Sequence, residues 1–326
     1  MTDARATGDI RFDGRVVVVT GAGNGLGRAH ALEFGRRGAS VVVNDLGGAV
    51  DGTGASTSAA DAVVDEITSA GGRAVPAYES VADPDGGAAI IDAAVREFGR
   101  LDVVVNNAGI LRNQSFGEMT HEQLMGVLGT HLLGSFYVSQ PAFRVMRDQG
   151  YGRFVFTSSG SGLFGLANQA NYASAKAGIA GLSSVIALEG AEHGIRSNVI
   201  APTATTRIVA GMRPEDISER DLALASRGDL TIELPGGPEF VTPIVMYLAS
   251  EGCDVTQQIF SASGGRFARV FTAVTRGWYG PLDKPATAED VRDHMDEISD
   301  RTEYQIPTTV FDESGGIREW FRSPNT

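Results

Sequence analysis

The sequence predicts an α/β fold: a doubly wound, parallel, seven-stranded sheet with helices on both faces, followed by a C-terminal extension of helices and loops. Two observations lead to this fold class. Short β-branched or apolar runs alternate along the chain with segments of helical apolar spacing, which is typical of a parallel sheet covered by helices. The first run ends in clustered glycines, and the chain has 42 glycines, about twice the ordinary share. The seven runs are Val16–Thr20, Ser40–Asp45, Arg73–Ala77, Leu101–Asn106, Gly152–Ser158, Ile195–Ala201 and Gln257–Ser261.

The first strand leads into a glycine-rich turn. Gly21, Gly25 and Gly27 follow the spacing G-x-x-x-G-x-G, and a helix is predicted over 28–37. A pyrophosphate can lie on the free N–H groups of a helix start only where the preceding turn lacks side chains that would hold it away. The turn therefore predicts a dinucleotide site. Its spacing differs from the common G-x-G-x-x-G pattern, and a glycine cluster alone is often an ordinary turn.

Asp45 closes the second predicted strand, about 20 residues after the glycines. A carboxylate at this place can accept hydrogen bonds from both hydroxyls of an adenosine ribose, and its charge would repel a 2′-phosphate. We therefore expect NAD rather than NADP as the cofactor. The competing interpretation of Asp45 is a cap of a helix or loop.

The fourth predicted strand runs into Asn106-Asn107-Ala108-Gly109. Small residues let the chain pass close beneath the ribose and nicotinamide of a cofactor, and asparagine side chains can bond the backbone of neighbouring strands. An ordinary turn at the end of a strand also uses Asn and Gly. The neighbouring motifs favour the cofactor interpretation.

Three side chains in the middle of the chain carry the chemistry. Tyr172 and Lys176 lie four residues apart in a helix predicted over 168–192, so they share one helical face. Ser159 follows the fifth strand, thirteen positions before the tyrosine. Tyrosine is a weak base because its ordinary pKa is about 10, and we expect Lys176 and a positive nicotinamide ring to lower that pKa. The serine would hold the substrate oxygen. A Tyr-x-x-x-Lys pair alone is commonly a surface pair.

These motifs, in this order, resemble those of the short-chain dehydrogenase/reductase family over about residues 14–265. The resemblance implies a Rossmann domain, a nicotinamide cofactor and hydride transfer between that cofactor and a carbonyl or alcohol. The matching motifs are Thr20-Gly21-x-x-x-Gly25-x-Gly27, Asn106-Asn107-Ala108-Gly109, Ser159 and Tyr172-x-x-x-Lys176.

Within the family, four stretches resemble the (3R)-hydroxyacyl-CoA dehydrogenase unit of peroxisomal multifunctional enzyme type 2, also called 17β-hydroxysteroid dehydrogenase type 4, and its bacterial stand-alone relatives. They are Val42–Gly48, Val103–Arg112, His131–Phe136 and Gln169–Lys176. This resemblance implies oxidation of a (3R)-hydroxyacyl-CoA to a 3-oxoacyl-CoA with NAD, on fatty-acyl or steroid side-chain thioesters. Two alternatives stay open: a dehydrogenase of a free steroid or other secondary alcohol, and a non-catalytic NAD-binding sensor.

The resemblance also assigns site residues. Ser159, Tyr172 and Lys176 are the catalytic set, with His131 continuing the proton path where most of the family has Asn. A buried histidine bonded to backbone is the competing interpretation of His131. No metal ligands are assigned. The cofactor set is Gly21, Asn24, Gly25, Leu26, Gly27, Asp45, Leu46, Ser80, Val81, Asn107, Ala108, Gly109, Tyr172, Lys176, Thr203 and Thr206.

The substrate side is less regular in sequence. Residues 203–237 are charged and irregular before a helix resumes at about 239–250, and in the family this segment is the substrate lid. The usual Pro-Gly after the sixth strand is Pro202-Thr203 here. A CoA substrate would require a basic patch, for which Arg112, Arg207 and Arg213 are candidates. Phe164, Leu166 and Gln169 precede the tyrosine and are expected to face the substrate, with a core role as the alternative for the two apolar residues.

The domain boundaries expected from these patterns are a tail over 1–14, the catalytic domain over 15–265 and an extension over 266–326. In the extension, Thr287 to Asp290 have the capping pattern of a helix that runs to about Ile298. Trp278 and Trp320 indicate that the extension packs against another part of the protein or a partner. We expect it to cover the core or a partner subunit of a homo-oligomer, either a dimer or a tetramer.

Composition excludes several classes of partner. The 27 Lys and Arg against 40 Asp and Glu give a net charge of −13, which argues against nucleic acid and anionic membranes. A lone cysteine, Cys253, cannot form an internal disulfide and favours a reducing compartment. No run approaches the ~18 apolar residues of a membrane span, and neither a signal peptide nor a C-terminal S-K-L signal is seen. The expectation is a cytoplasmic enzyme with a small-molecule substrate.

Overall fold

The computed structural model describes residues 8–204, 223, 236–281 and 283–322, except for the side chains of the last four. The chain forms two compact units, Met1–Arg269 and Val270–Thr326. The helices of the first unit are α1 (Gly25–Arg36), α2 (Ser58–Ser69), α3 (Pro84–Phe98), α4 (His121–Leu128), α5 (Gly134–Gln149), α6 (Gly160–Phe164), α7 (Ala170–Gly190) and α8 (Thr242–Ala249). The strands of the main sheet are β1 (Val16–Thr20), β2 (Ser40–Asn44), β3 (Arg73–Ala77), β4 (Val103–Asn106), β5 (Gly152–Thr157), β6 (Ile195–Thr203), β7 (Ile259–Ser263) and β8 (Arg266–Val270).

The strands of the main sheet lie in the order β3-β2-β1-β4-β5-β6-β7-β8. Every neighbouring pair from β3 to β7 is parallel, which confirms the predicted doubly wound sheet. The chain moves outward from β1 to β3 and then returns to place β4 on the other side of β1. The strand order therefore reverses between β1 and β4, and ligands of open α/β sheets bind at the carboxyl ends of the strands at such a reversal.

The sheet has eight strands where the sequence predicted seven. β8 follows β7 after Gly264 and Gly265, whose φ values of 55° and 81° suit a tight turn. So short a connection joins antiparallel strands, because parallel strands need a long crossover. No residue of β8 is buried, in contrast to β1 or β5. The missing apolar run explains why sequence reasoning missed this strand.

β1 shows how the core is divided. Val17 and Val19 pack in one apolar cluster and Val16 and Val18 in another, and all four are buried. Since successive side chains of a strand point to opposite faces, both faces of the sheet are covered. α1, α2 and α8 complete the first cluster, and α3, α5 and α7 complete the second. The result is the three-layer arrangement that the alternating sequence pattern predicts.

A buried carboxylate joins the amino ends of β1 and β4. Asp102 is 0 % exposed and accepts hydrogen bonds from the Arg15 guanidinium at 2.9 Å and from the backbone N–H of Val16 at 2.9 Å. Arg100 donates two more bonds, at 2.8 and 2.7 Å. A carboxylate is tolerated in the interior only when it is paired and hydrogen-bonded. This cluster therefore fixes the two central strands at the end opposite to the glycine turn.

The second unit is small. Within it, the Trp278 indole stacks on the His294 ring with centroids 4.1 Å apart, whereas the side chain of Trp320 lies outside the described residues. None of the helices in the described part of the chain is long and apolar enough to cross a membrane. The elements are β9 (Val274–Thr275), paired antiparallel with β10 (Tyr304–Gln305), and the helices α9 (Ala288–Asp293), α10 (Met295–Ile298) and α11 (Val310–Arg322).

The helix predicted from Thr287 to Ile298 is two helices. It begins as expected, because the side chains of Thr287 and Asp290 form a capping box with each other's backbone N–H groups. It is interrupted at His294, whose φ of −108° and ψ of 14° are not helical. The ring of that residue is the one stacked on Trp278, so a tertiary contact accompanies the break.

We expect Asp102→Ala to lower the free energy of unfolding by about 3 kcal/mol, because it leaves the Arg15 charge and the Val16 N–H without their buried partner. Urea denaturation at pH 7 measures this loss. Asp148→Ala is the control, since that carboxylate is 71 % exposed and pairs with Arg147 at the surface; its effect should stay below about 0.5 kcal/mol. Equal losses in the two variants would contradict the role of Asp102.

Candidate active site

The glycine-rich turn has no room for side chains at its glycine positions. Gly21 and Gly25 have φ values of 63° and 54°, in the left-handed region that favours glycine. A Cβ atom at Gly27 would lie 2.2 Å from the carbonyl oxygen of Gly21, and one at Gly21 would lie 2.7 Å from the Cα of Ala108. α1 begins without a side-chain cap on its first N–H groups. The turn leaves the start of α1 open, as a pyrophosphate site requires.

Hydrogen bonds join this turn to the end of β4. The Thr20 hydroxyl accepts from the backbone N–H groups of Asn107 at 3.0 Å and Ala108 at 3.1 Å. In return, the side-chain amide of Asn107 donates to the carbonyl oxygens of Thr20 at 3.0 Å and Gly21 at 3.1 Å. The prediction that an asparagine here bonds the backbone of a neighbouring strand is confirmed for Asn107.

Asp45 follows β2 and ties the glycine turn to the next loop. One carboxylate oxygen accepts from the Gly23 N–H and the other from the Gly47 N–H, each at 2.7 Å. The side chain therefore caps a loop, which was the competing interpretation. Each carboxylate oxygen still has a second lone pair available for a ribose hydroxyl. Asp45 also lines the cavity above the sheet, and its contact with a ribose stays a prediction.

A cavity of about 560 Å³ opens above the carboxyl ends of β1, β2 and β4. The open helix start, the turn built on closely spaced glycines and the carboxylate after β2 fit a nicotinamide dinucleotide. Gly27, Tyr172, Lys176 and Thr203 are not part of the lining, and Thr206 lies outside the described residues. The predicted cofactor residues that do line the cavity are Gly21, Asn24, Gly25, Leu26, Asp45, Leu46, Ser80, Val81, Asn107, Ala108 and Gly109.

Sequence reasoning missed part of the cavity wall. Residues 46–57, which we call the cavity loop, cross from β2 to the segment after β4. There the Val50 carbonyl accepts from the Leu111 N–H at 2.9 Å, and the Asp51 carbonyl accepts from the Arg112 guanidinium at 2.8 Å. The glycines of this loop were the available signal, but they indicated only an irregular connection. Other lining residues that were not predicted include Asn44, Glu79, Ile110, Met125 and Thr130.

The fold brings the three catalytic candidates together. Ser159 follows β5, and its hydroxyl lies close enough to Tyr172 on α7 to lower the pKa of the tyrosine as a hydrogen-bond partner. The Lys176 Nζ lies 5.5 Å from the centre of the Tyr172 ring and donates to the Thr157 carbonyl at 2.6 Å. Because Lys176 is buried, the alternative of a surface Tyr-Lys pair does not hold. A phenol, a hydroxyl and an amine thus meet at the carboxyl end of β5.

Burial governs the electrostatics of this group. It lowers the pKa of Lys176 to about 7 and raises the pKa of Tyr172, against which the hydrogen bond with Ser159 acts. The sequence expectation that Lys176 lowers the tyrosine pKa is therefore wrong for the protein without cofactor. The loss of water around a phenolate outweighs the attraction of a lysine whose own charged form is disfavoured. The nicotinamide charge, the other half of that expectation, comes only with bound cofactor.

His131 lies beside the tyrosine on a single π-helical turn, Gly129–Leu133. Its Nε2 lies 3.0 Å from the backbone nitrogen and 2.8 Å from the carbonyl oxygen of Ile110, and its ring packs edge-on against Tyr172. Burial, and then the charge of Lys176, hold the pKa of His131 well below its usual range, so the ring is neutral. Its Nδ1 is buried and has no partner among the described residues. The interpretation of His131 as a buried histidine bonded to backbone is confirmed, and its part in a proton path stays a prediction.

The residues expected on the substrate side are only partly placed. Phe164 is 75 % exposed, which excludes a core role for it, whereas Leu166 is half-buried and Gln169 is 3 % exposed. Thr203 is exposed at the end of β6, and the resumed helix is α8. Most of the predicted lid, including Arg207 and Arg213, lies outside the described residues.

Together, the glycine turn, the cavity and the Ser-Tyr-Lys group define an oxidoreductase that uses a nicotinamide nucleotide. The family model described as short chain dehydrogenase matches residues 15–216, and the chain belongs to this family. It is an enzyme acting on CH–OH groups.

Two relatives illustrate the relationship. Peroxisomal multifunctional enzyme type 2 of Mus musculus is 44% identical over 315 residues, which cover 95% of this chain and 40% of that protein. Hydroxyacyl-CoA dehydrogenase ChsB1 of Mycobacterium tuberculosis is 36% identical over 310 residues, covering 88% of this chain and 91% of that protein. The chain therefore spans less than half the length of the mouse relative. The resemblance seen in the sequence is confirmed.

Solved structures show the same relationship. Full-length peroxisomal multifunctional enzyme type 2 from Drosophila melanogaster superposes with a TM-score of 0.76 at 36% identity, covering 96% of this chain and 50% of that one. A 7α-hydroxysteroid dehydrogenase complexed with NADH and 7-oxo glycochenodeoxycholic acid gives a TM-score of 0.69 at 29% identity, covering 78% and 95%.

The buried lysine leads to a prediction about stability and pH. The pKa of Lys176 is about 7 in the folded protein, against an ordinary value of 10.5, so between these pH values the folded state binds fewer protons than the unfolded state. The stability contributed by this group therefore rises with pH across that range. We expect the unfolding free energy of the cofactor-free wild type minus that of Lys176→Met to rise from pH 7 to pH 10, as measured by urea denaturation.

Lys284→Met, which removes an exposed lysine, serves as the control for this experiment. One contrary result is a difference in unfolding free energy between the wild type and Lys176→Met that stays constant with pH; another is a difference that changes with pH as it does for Lys284→Met. Either result would show that the folded state does not disfavour the charged form of Lys176.

Proposed function

We propose that this chain is an NAD-dependent dehydrogenase that interconverts (3R)-hydroxyacyl-CoA and 3-oxoacyl-CoA in the β-oxidation of fatty-acyl or steroid side-chain thioesters. One observation carries the proposal: the Ser159 hydroxyl lies close enough to Tyr172 to lower the pKa of the tyrosine, and Lys176 lies one helical turn away on the same helix, at the carboxyl end of the sheet. A general base must reach both the proton it removes and a group that stabilises the charge left behind. This group of side chains provides both.

In the proposed mechanism, Tyr172 takes the proton of the substrate hydroxyl, and Ser159 donates a hydrogen bond to the same oxygen. NAD, when bound, would supply the acceptor for the hydride of the substrate carbon. Gly21–Gly27 would hold its pyrophosphate, and Asn107 and Lys176 would hold its nicotinamide ribose. The protein's part is to place the tyrosine and to exclude water from it.

Proton movement follows from the electrostatics of the site. Burial raises the pKa of Tyr172, so the phenolate forms only with help from nearby donors and positive charge. Lys176, with a pKa of about 7, gains or loses a proton near neutral pH and can therefore assist in either direction of the reaction. His131 is neutral, and its Nδ1, which has no partner among the described residues, is the ring atom through which the proton path would continue.

Asp45 supports NAD over NADP. Its two backbone hydrogen bonds, from Gly23 and Gly47, fix the carboxylate at the cavity wall. A negative charge held at this place accepts ribose hydroxyls and repels a 2′-phosphate.

The CoA part of the proposal rests on the relatives, among them the hydroxyacyl-CoA dehydrogenase of Mycobacterium tuberculosis. Arg112 lines the cavity, but its guanidinium already bonds the Asp51 carbonyl and lies 3.6 Å from the Glu122 carboxylate. The second candidate function is oxidation of a free steroid or other secondary alcohol. It is favoured by the similarity to a 7α-hydroxysteroid dehydrogenase complexed with a bile-acid derivative.

Assembly and location are part of the proposal. We propose a homo-oligomer, a dimer or tetramer, in which residues 266–326 pack on the core or on a partner subunit. The exposed apolar side chains Phe271, Val310 and Phe311 of the second unit support such packing, because large apolar groups gain free energy when covered. The proposed compartment is the cytoplasm, and the relatives named peroxisomal make the peroxisome the alternative.

The first prediction from this function concerns the cofactor. We expect kcat/KM to be at least about tenfold higher with NAD than with NADP, and Asp45→Ala to lower the value for NAD and reduce the ratio, since the charged acceptor for the ribose is lost. Asp51→Ala in the same loop is the control, because its carboxylate bonds only Thr53 among the described residues. A wild-type preference for NADP would show that the interpretation of Asp45 is wrong.

The second prediction concerns the base. Tyr172→Phe should lower kcat at least about 1,000-fold while NAD binding stays nearly unchanged, because only the proton acceptor is removed. NADH formation with (3R)- and (3S)-hydroxyacyl-CoA, free 3-hydroxy acids and free hydroxysteroids measures both the role and the substrate class. Tyr137→Phe, on α5 and outside the site, is the matched control.

Two results of this experiment would count against the proposal. Substantial turnover by Tyr172→Phe would refute the assignment of the base. Wild-type turnover of free alcohols alone, with none of the CoA thioesters oxidised, would replace the proposed substrate with the second candidate.

A further inference from the structure

A buried asparagine stands directly before the proposed base. Asn171 is 0 % exposed, and its side-chain amide donates to the carbonyl oxygens of Arg112 at 2.9 Å and Gln123 at 3.1 Å. Its side-chain carbonyl accepts from the backbone N–H of Tyr172 at 2.8 Å. Both amide hydrogens and one lone pair are therefore used by backbone groups from three separate parts of the chain.

The start of α7 depends on this side chain. The first four N–H groups of a helix have no partner within the helix, and the N-cap residue of α7, Gln169, makes no side-chain cap. Asn171 provides the missing acceptor for Tyr172 from inside the first turn. Its two donated bonds attach the same turn to α4 and to the segment after β4. Without this side chain, two carbonyls and one N–H would each lose a hydrogen bond.

The segment after β4 is itself held on several sides. We call residues 110–114 the bridging segment. At one end, the Ile110 backbone contacts His131 at 2.8 and 3.0 Å, and at the other the Gln114 N–H donates to the Asn168 carbonyl at 2.9 Å. Asn171 binds the middle of this segment through the Arg112 carbonyl. It therefore lies where α4, the bridging segment and the catalytic helix meet.

We infer that Asn171 is a positioning residue: by attaching the first turn of α7 to two backbone carbonyls, it sets where the Tyr172 hydroxyl lies relative to Ser159. The inference rests on the proposed role of Tyr172 as the base. Ser159 follows β5 and Tyr172 belongs to α7, so their contact depends on how the helix is held and not on either side chain alone. A misplacement of about 1 Å can lower a rate on the order of a hundredfold.

Asn171→Ala removes all three bonds. Asn171→Ser is the second variant: it keeps an oxygen close to the Tyr172 N–H but is too short to reach both carbonyls. The matched control is Asn198→Ala on β6. Asn198 is also 0 % exposed, its amide donates to the Val255 carbonyl at 2.9 Å, and its side-chain carbonyl accepts from the Gln258 N–H at 3.1 Å.

All three variants should unfold more readily than the wild type, because each loses buried hydrogen bonds. Only the Asn171 variants should lose kcat, by about 10- to 100-fold, with KM and the NAD dissociation constant changed far less. NADH formation and NAD titration of the full chain measure these quantities. The contrast with Asn198→Ala separates a positioning effect from a general loss of stability.

The pH profile gives a readout that a structural role would not move. The hydrogen bond with Ser159 opposes the burial-driven rise in the pKa of Tyr172. If the hydroxyl is displaced, that opposition weakens and the pKa rises further. The rising limb of kcat for alcohol oxidation should therefore move to higher pH in the Asn171 variants and stay in place in Asn198→Ala. The ¹³C shift of the Tyr172 Cζ, assigned with Tyr172→Phe, should titrate in the same direction.

Wild-type kcat and pH profile in the Asn171 variants, or changes equal to those of Asn198→Ala, would overturn the inference. It would also be overturned if neither Asn171 variant folds well enough to bind NAD, since the residue would then serve folding alone. Failure of the proposed function looks different, because Tyr172→Phe would then keep its turnover. If Tyr172→Phe is inactive and the Asn171 variants are unaffected, this inference is rejected and the proposed function is not.

Discussion

The contact between the end of β1 and the end of β4 is the constraint on which the site depends. The Thr20 hydroxyl accepts hydrogen bonds from two backbone N–H groups after β4. The Asn107 side-chain amide donates two hydrogen bonds to backbone carbonyls at the end of β1 and in the glycine turn. This close approach requires glycine at 21, where a Cβ atom would meet the Ala108 backbone. Because the strand order reverses at this pair, the same contact forms the floor of the crevice in which a ligand can lie.

The two ends of the central strands differ in how buried charge is compensated. At the amino ends, Asp102 is surrounded by donors and pairs with Arg15 and Arg100, so its charge is compensated. At the carboxyl ends, Lys176 and Tyr172 are placed where burial disfavours the charged form of each. Such perturbed groups are typical of functional sites and reduce stability. The compensated end holds the strands together, while the uncompensated end carries the candidate catalytic side chains.

Much of the fold could be predicted because the central strands are continuous apolar runs buried on both faces, a pattern that sequence displays directly. β8 lacks such a run, and the break at His294 coincides with a stacking contact with Trp278, so neither left a local signal. The direction of the pKa shift of Tyr172 was also missed. Spacing places Lys176 near the ring, but only the three-dimensional structure shows how far both side chains are removed from water.

The site residues followed from motifs, whereas the contacts that hold them did not. The Leu111 N–H donates to the Val50 carbonyl, and the Arg112 carbonyl accepts from the Asn171 side chain. In each of these two pairs the partners are about sixty positions apart in the sequence. Such pairings use backbone groups, which every residue type carries, and residue identity therefore gives no indication of them. Only the Asn171 side chain could have been noticed, as a polar residue in a helix start, and nothing local distinguishes it from an exposed asparagine.

The bridging segment connects the cavity loop with the start of the helix that carries Tyr172, which lie in separate parts of the sequence. On one side, Leu111 and the Arg112 guanidinium hold the cavity loop, and on the other the Arg112 carbonyl holds the start of the catalytic helix. A short backbone segment whose N–H and C=O groups are both engaged cannot shift toward one partner without pulling on the other. The wall of the cavity and the start of the helix that carries Tyr172 are thus held by the same few residues.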